Sequence, residues 1–182
     1  MKYIFVSDIH GNIDRLEECI ALLEKENADK LVILGDTASS YYEGDNVLLA
    51  EALNNIKNKV EVIRGNCDTS DFEEYLKFEI FDDDILYING KFVTITHGHR
   101  YNYYHLPPNC GEIFIQGHMH VPLLMKQEGR IFANPGSVTR PRGSDLRCYI
   151  LIDEGAIYLK TLEGSIIKMI DIKKDSSGDE II

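Results

Sequence analysis

The chain has 182 residues, 44% of them hydrophobic and 27% charged, which is the profile of a folded globular protein rather than a disordered one. Asp and Glu total 30 against 19 Lys and Arg, and the resulting net charge of −11 repels a nucleic-acid backbone and argues against broad nucleic-acid binding. No apolar run approaches the roughly 18 residues a spanning helix needs, so no membrane partner is expected.

The length suits one domain, here residues 1–172, followed by a polar tail at 173–182 (KKDSSGDE). The opening MKYIFVSDIHG offers only about five apolar positions before Asp8 and His10, too few for a secretory signal. Cys19, Cys67, Cys110 and Cys148 form no C-x-x-C pair and read as reduced thiols, so a cytoplasmic location is expected.

Residues 2–7 (KYIFVS) predict a strand ending at Asp8, and Gly11–Asn12 a turn. Ile13, Leu16, Ile20 and Leu23 then recur at spacings of three and four, which predicts a helix over 13–25. A second strand over 30–34 stops at Gly35-Asp36. A loop holding Tyr41, Tyr42 and Gly44 leads to a helix over 46–56, and a third strand over 60–63 runs into Arg64-Gly-Asn-Cys-Asp68. This β-α-β-α-β order predicts parallel strands with helical crossovers. Beyond residue 80 the pattern becomes mostly β. Runs at 85–88 and 92–96 flank Asn89-Gly90, a strong hairpin signal, and further runs follow at 112–115, 123–126, 130–133, 147–152, 156–161 and 165–170. Turns are expected at 153–155 and 163–164. Together the halves predict an α/β sandwich of two sheets with helices outside.

Polar residues stop the strands in a telling way. Asp8 and His10 follow the first, Asp36 the second and Asn66 the third; Thr96-His97-Gly98-His99 follows the hairpin, and Gly117-His118-Met119-His120 follows the run near 115. Ligands of open parallel sheets gather at the carboxyl ends of strands. Carboxylate, amide and imidazole donors suit hard or borderline divalent ions, and no cysteine has the spacing of a structural zinc site. Taken singly, an Asp after a strand is a turn former or helix cap and a loop His a solvated side chain. Five of the six histidines in three short Gly-containing segments, with only His105 apart, make a metal site the better reading.

The ordered set SDIHG, LGD, RGNCD, THGH, GHMH and NPGS resembles the calcineurin-like metallophosphoesterases, in particular a branch of small bacterial phosphodiesterases, over about residues 1–170. The resemblance implies a four-layer α/β/β/α sandwich with two divalent transition-metal ions between its sheets. It implies Asp8, His10, Asp36 and His120 as ligands of one ion, and Asp36, Asn66, His97 and His118 as ligands of the other, with Asp36 bridging. Two such ions outweigh the two carboxylates and a shared hydroxide by about one positive charge, which suits hydroxide attack on a phosphoester and needs no side-chain nucleophile. A small phosphodiester is the expected substrate, a phosphomonoester the alternative. A non-catalytic scaffold is a further alternative, because the same fold occurs in a retromer subunit. Manganese is the favoured ion, with zinc, iron, cobalt or nickel as other candidates.

Many members of the family place a His after the metal-binding Asn, where it protonates the leaving group; here that residue is Cys67. Cys67 or His99 is the candidate proton donor, and Asp68 a support for the loop or an imidazole. Arg64, Arg100, Arg140 and Arg142 lie in or beside the motifs and could meet phosphate, although a surface ion pair is the plainer reading of Arg64 and Arg100. The turn 134–137 (NPGS) is expected to brace the His118–His120 loop. Tyr41, Tyr42, Tyr101, Tyr103 and Tyr104 could stack a base or form a contact in a homodimer or homotetramer.

Overall fold

The structure, a computed structural model, describes residues 1–38 and 43–173. Tyr41, Tyr42 and the tail beyond 173 lie outside the described residues. The order begins β1 (Tyr3–Val6), α1 (Ile13–Lys25), β2 (Lys30–Ile33), α2 (Glu43–Asn55), β3 (Val60–Val62), α3 (Ser70–Tyr75). It continues β4 (Asp83–Ile88), β5 (Lys91–Thr96), β6 (Ile113–Gln116), β7 (Leu123–Gln127), β8 (Arg130–Asn134), β9 (Cys148–Asp153), β10 (Ala156–Thr161), β11 (Ile166–Asp171).

These strands form two mixed sheets, ordered β11-β10-β9-β1-β2-β3 and β4-β5-β6-β8-β7. As the β-α-β-α-β pattern predicts, β1 pairs parallel with β2 and β2 with β3. The second sheet has its own parallel centre, β5-β6-β8, flanked by antiparallel β4 and β7. The alternation of side chains along β1 explains the layering. Ile4 and Val6 face a core shared with Leu16 and Cys19 of α1, Leu49 and Leu53 of α2, and Phe72 of α3. Phe5 faces the other way, into a second core between the sheets with Val32, Val93, Ile95, Ile113 and Ile115.

The expected architecture of two mixed sheets with flanking helices is therefore present. The described helices cover the first sheet, whereas an ordered loop takes the outer place on the second. From that loop Tyr103 packs edge-on against Phe114 and Phe132. Two local expectations change. α2 begins at Glu43, three residues before the expected start at 46, and includes Gly44 of the expected loop. The sequence reading also missed α3, a six-residue helix capped by the Thr69 hydroxyl, which accepts from the Phe72 N–H. Asn12 caps α1 by accepting from the Arg15 N–H, so Asp8 is not spent as a cap.

Phe72 is fully buried and is the anchor by which α3 joins the helical layer. Phe72→Ala is expected to cost about 3–5 kcal/mol of folding free energy, read from urea unfolding of the full chain.

Candidate metal centre

The chain turns sharply as it leaves β1, β2 and β6, three of the strands that carry candidate ligands. Asp8, His10, Asp36, His118 and His120 all have positive φ, between 50° and 65°. Among the described residues, the other four non-glycine positions with positive φ sit in turns, three of them immediately before a glycine. Left-handed backbone at a non-glycine residue costs about 1–3 kcal/mol and persists only where the surroundings over-determine it. Here it aims five polar side chains toward one place. Glycines allow the crowding that results: a Cβ on Gly65 would lie 2.2 Å from Asp36 Oδ1, and one on Gly117 1.9 Å from Ser7 Oγ.

The donors form two adjoining groups. In the first, His120 Nε2 stands 3.1 Å from Asp8 Oδ1 and 3.3 Å from His10 Nε2. In the second, His97 Nε2 stands 3.4 Å from Asp36 Oδ1, 3.3 Å from His118 Nδ1 and 3.1 Å from Asn66 Oδ1. Asp36 belongs to both, since its other oxygen lies 3.9 Å from His10 Nε2. All seven residues that the motifs single out as ligands are thus brought together.

The proton positions follow from the carbonyls behind the rings. His120 Nδ1 lies 2.8 Å from the Arg140 carbonyl and His97 Nδ1 2.7 Å from the Leu34 carbonyl. Each Nδ1–H donates there, which leaves Nε2 of a neutral ring as a lone pair facing the cluster. Asp8 Oδ1 is buried without a hydrogen-bond partner even though His120 Nε2 is close by. Lone pair against lone pair is repulsive, and a second proton or a metal cation relieves it. Two donors held about 2.1 Å from one ion stand roughly 3.0–3.4 Å apart, which is the spacing found here. The residues fit a cation.

The titration tendencies agree. Asp8 raises the pKa of His120, in part against burial. Burial opposes protonation of His97, but Asp36 outweighs it and raises that pKa as well. Asp36 is buried, yet the adjacent His97 and the Cys67 N–H, which donates to its Oδ1, hold its carboxyl well below the usual range. Burial holds His10 and His118 below the ordinary histidine value.

Supporting contacts reach the site from both sheets. Asp68 does not face the cluster's donors; its two oxygens accept from the Ala38 and Gly65 N–H groups, tying the Asp36 loop to the Asn66 loop. Ser137 Oγ donates to the Asp8 carbonyl, and Asn134 Nδ2 donates to the Gly117 carbonyl, so the 134–137 turn braces the Asp8 loop as well as the expected His118–His120 loop. The sequence reading did not foresee the Asp8 contact or the bond from Thr139 Oγ1 to the Ile9 carbonyl. Only the small polar residues following the NPGS motif hinted at them.

Cys67 lies beside His10 and Asp36, and burial, reinforced by Asp36, pushes its thiol up to about 12. His99 lies tilted against His97 at 5.4 Å between ring centroids, with burial holding its pKa down. Arg64 is engaged by both oxygens of Glu73, at 2.6 Å, and by Asp82, and Arg100 pairs with Asp82. Arg140 and Arg142 are exposed and act electrostatically on His10 and His120 respectively.

Residues 1–156 match the model of the calcineurin-like phosphoesterase superfamily domain. The phosphodiesterase YfcE of Escherichia coli K12 is 34% identical over 184 residues, covering 94% of this chain and 98% of YfcE. A solved structure of E. coli YfcE, described as a phosphoesterase, superposes with a TM-score of 0.85 over 94% of this chain and all of the other. Vps29 of Entamoeba histolytica, complexed with zinc, shares the fold at a TM-score of 0.61 and 18% identity, covering 94% of this chain and 99% of its own. With the donor cluster intact at the junction of two mixed sheets, the chain belongs to the calcineurin-like phosphoesterase superfamily.

Proposed function

We propose that this protein is a phosphodiesterase that hydrolyses small phosphodiesters with two divalent ions, manganese being the favoured pair. The observation that carries the two-ion reading is the placement of Asp36, with one oxygen toward His97 and the other toward His10. Asp8, His10, Asp36 and His120 would hold one ion, and Asp36, Asn66, His97 and His118 the other. Bound there, divalent ions supply Lewis-acid charge to the phosphoryl oxygens and activate water as the nucleophile.

The chain's own residues do the rest. The neutral imidazoles of His97 and His120, with their Nδ1 protons fixed outward, keep that part of the cluster ready to bind without rearrangement, which is how preorganised sites limit reorganisation cost. Arg140 and Arg142 add positive charge on the approach of an anion, while Arg64 and Arg100 are already engaged by carboxylates and are better suited to holding the Asn66 and His99 loops. Asp68 serves as a positioning residue, through its clamp on Gly65 and Ala38. The Cys67 thiol stays protonated at neutral pH but gives up its proton reluctantly, which biases the enzyme toward esters with good leaving groups. His99 is the other candidate donor beside the cluster.

The mixed oxygen and nitrogen donor set suits zinc, iron, cobalt or nickel as well as manganese, the ion we favour. Four free cysteines support a cytoplasmic location. Ile85, Tyr87 and Phe92, exposed together on the β4–β5 hairpin, support a homodimer or homotetramer.

Protein stripped with a chelator is expected to lose hydrolysis of bis(p-nitrophenyl) phosphate and to regain it most fully with manganese. Asp36→Asn is expected to lower that activity about 100-fold or more and to reduce the metal retained on gel filtration. Faster turnover of p-nitrophenyl phosphate than of the diester would overturn the phosphodiesterase reading in favour of a phosphomonoesterase, and no turnover of either would leave a scaffold. Cys67→His is expected to raise turnover of a poor-leaving-group dialkyl ester about tenfold or more, with little change on nitrophenyl esters. An unchanged rate on the dialkyl ester would remove Cys67 from the proton-transfer question.

A further inference from the structure

Beside the donor cluster a cavity of about 460 Å³ opens between the loop 98–104 and the segment 118–123. His99 and His118 form part of its wall, so it is continuous with the candidate centre. Met119, Val121 and Leu123 give it an apolar side, and Met119 and Val121 remain 50% and 42% exposed. None of its lining residues is an Asp, Glu, Lys or Arg. A phosphate or carboxylate placed there would shed water and find no counter-charge, whereas a neutral planar group would gain from leaving water.

The adjoining loop is built to present an aromatic face. Asn102 and His105 exchange both backbone hydrogen bonds at 3.0 Å, which pins Tyr103 and Tyr104 at the tip between them. Tyr103 turns inward; its hydroxyl donates to the Ala133 carbonyl and its ring lies against Phe114 and Phe132. Tyr104 points the other way and is 96% exposed, although its N–H is held by Asn102 Oδ1. Packing within this chain gives so large an exposed ring nothing to stabilise, yet its backbone is fixed and it lines the cavity.

We infer that this cavity binds one esterifying arm of the substrate and selects an uncharged planar arm, of the aryl or unphosphorylated nucleoside kind, with Tyr104 stacking over it. The inference rests on the phosphodiesterase reading and narrows its substrate class: a diester whose arm carries a further phosphate is disfavoured.

The test has a binding arm and an inhibition arm. Met1, Met119, Met125 and Met169 are the chain's four methionines, so ¹³C-methyl-methionine labelling gives Met119 its own signal. In metal-free protein titrated with phenol, which stays uncharged at neutral pH, the Met119 methyl is expected to shift while those of Met1 and Met169 stay in place. In metal-loaded protein, phenylphosphonate is expected to inhibit about tenfold more tightly than methylphosphonate. Tyr104→Ala and Val121→Asp, both at exposed positions, should each bring the ratio of the two phosphonates' inhibition constants close to one. Equal inhibition by the two phosphonates together with a static Met119 methyl would overturn the inference while the phosphodiesterase reading stands. A Met119 shift that Val121→Asp abolishes, in a protein that hydrolyses no ester, would instead sink the hydrolase reading and keep the cavity.

Discussion

Two buried carboxylates govern the rest of the structure. Asp8 is fully buried and Asp36 is 2% exposed, each at the carboxyl end of a central parallel strand. Removing an ionised carboxylate from water costs several kcal/mol unless other groups satisfy it. The cluster answers with imidazoles whose protons point away, into the Leu34 and Arg140 carbonyls. That arrangement leaves the negative charge only partly met, by the Cys67 and His118 N–H groups, and concentrates lone pairs at the same point. A cation is the one species that every donor in the cluster accepts.

Holding such a cluster open requires rigidity that the donors cannot supply themselves. The loops are fastened from behind, mainly through backbone groups. Asp68 accepts from two N–H groups, Ser137 donates to the Asp8 carbonyl, and the His118 N–H donates to Asp8 Oδ2. Backbone anchoring matters because five ligand residues occupy left-handed conformations that relax if the loop is free. The close approach of Gly65 to Asp36 belongs to the same design, since any side chain there would push the two loops apart.

The fold was largely legible where periodicity runs long enough. The Ile13, Leu16, Ile20, Leu23 stripe marks α1, and Asn89-Gly90 marks the β4–β5 turn, in which both residues have positive φ. α3 escaped because six residues carry less than two turns of pattern, and its only advance sign was Thr69 ahead of acidic Asp71 and Glu73. Gly44 misled at the start of α2, where a poor helix former is tolerated in the first turn. At the site, the ligand types were legible because each followed a strand. The roles of Asp68, Arg64 and Arg100 were not, because each depends on a partner distant in sequence: Ala38 for Asp68, Glu73 and Asp82 for the arginines. Nor does a sequence announce left-handed backbone at Asp and His, where glycine would have been the signal.

The two hydrophobic cores are complete without the cluster. One lies between the helices and the first sheet, the other between the sheets, and neither includes a ligand residue. The ligands come from both sheets: Asp8, His10, Asp36 and Asn66 from loops of the first, and His97, His118 and His120 from loops of the second. A bound cation would therefore clasp the sheets at one edge, and would add stability that grows with the logarithm of its concentration over its dissociation constant. Yet the same fold would be more stable in isolation with neutral side chains at Asp8 and Asp36 and unstrained turns beside them. The stability given up is concentrated at the strand ends, where an incoming phosphoester would meet the donors. That distribution is what chemistry at this edge requires, and what a scaffold valued only for its surface has no reason to keep.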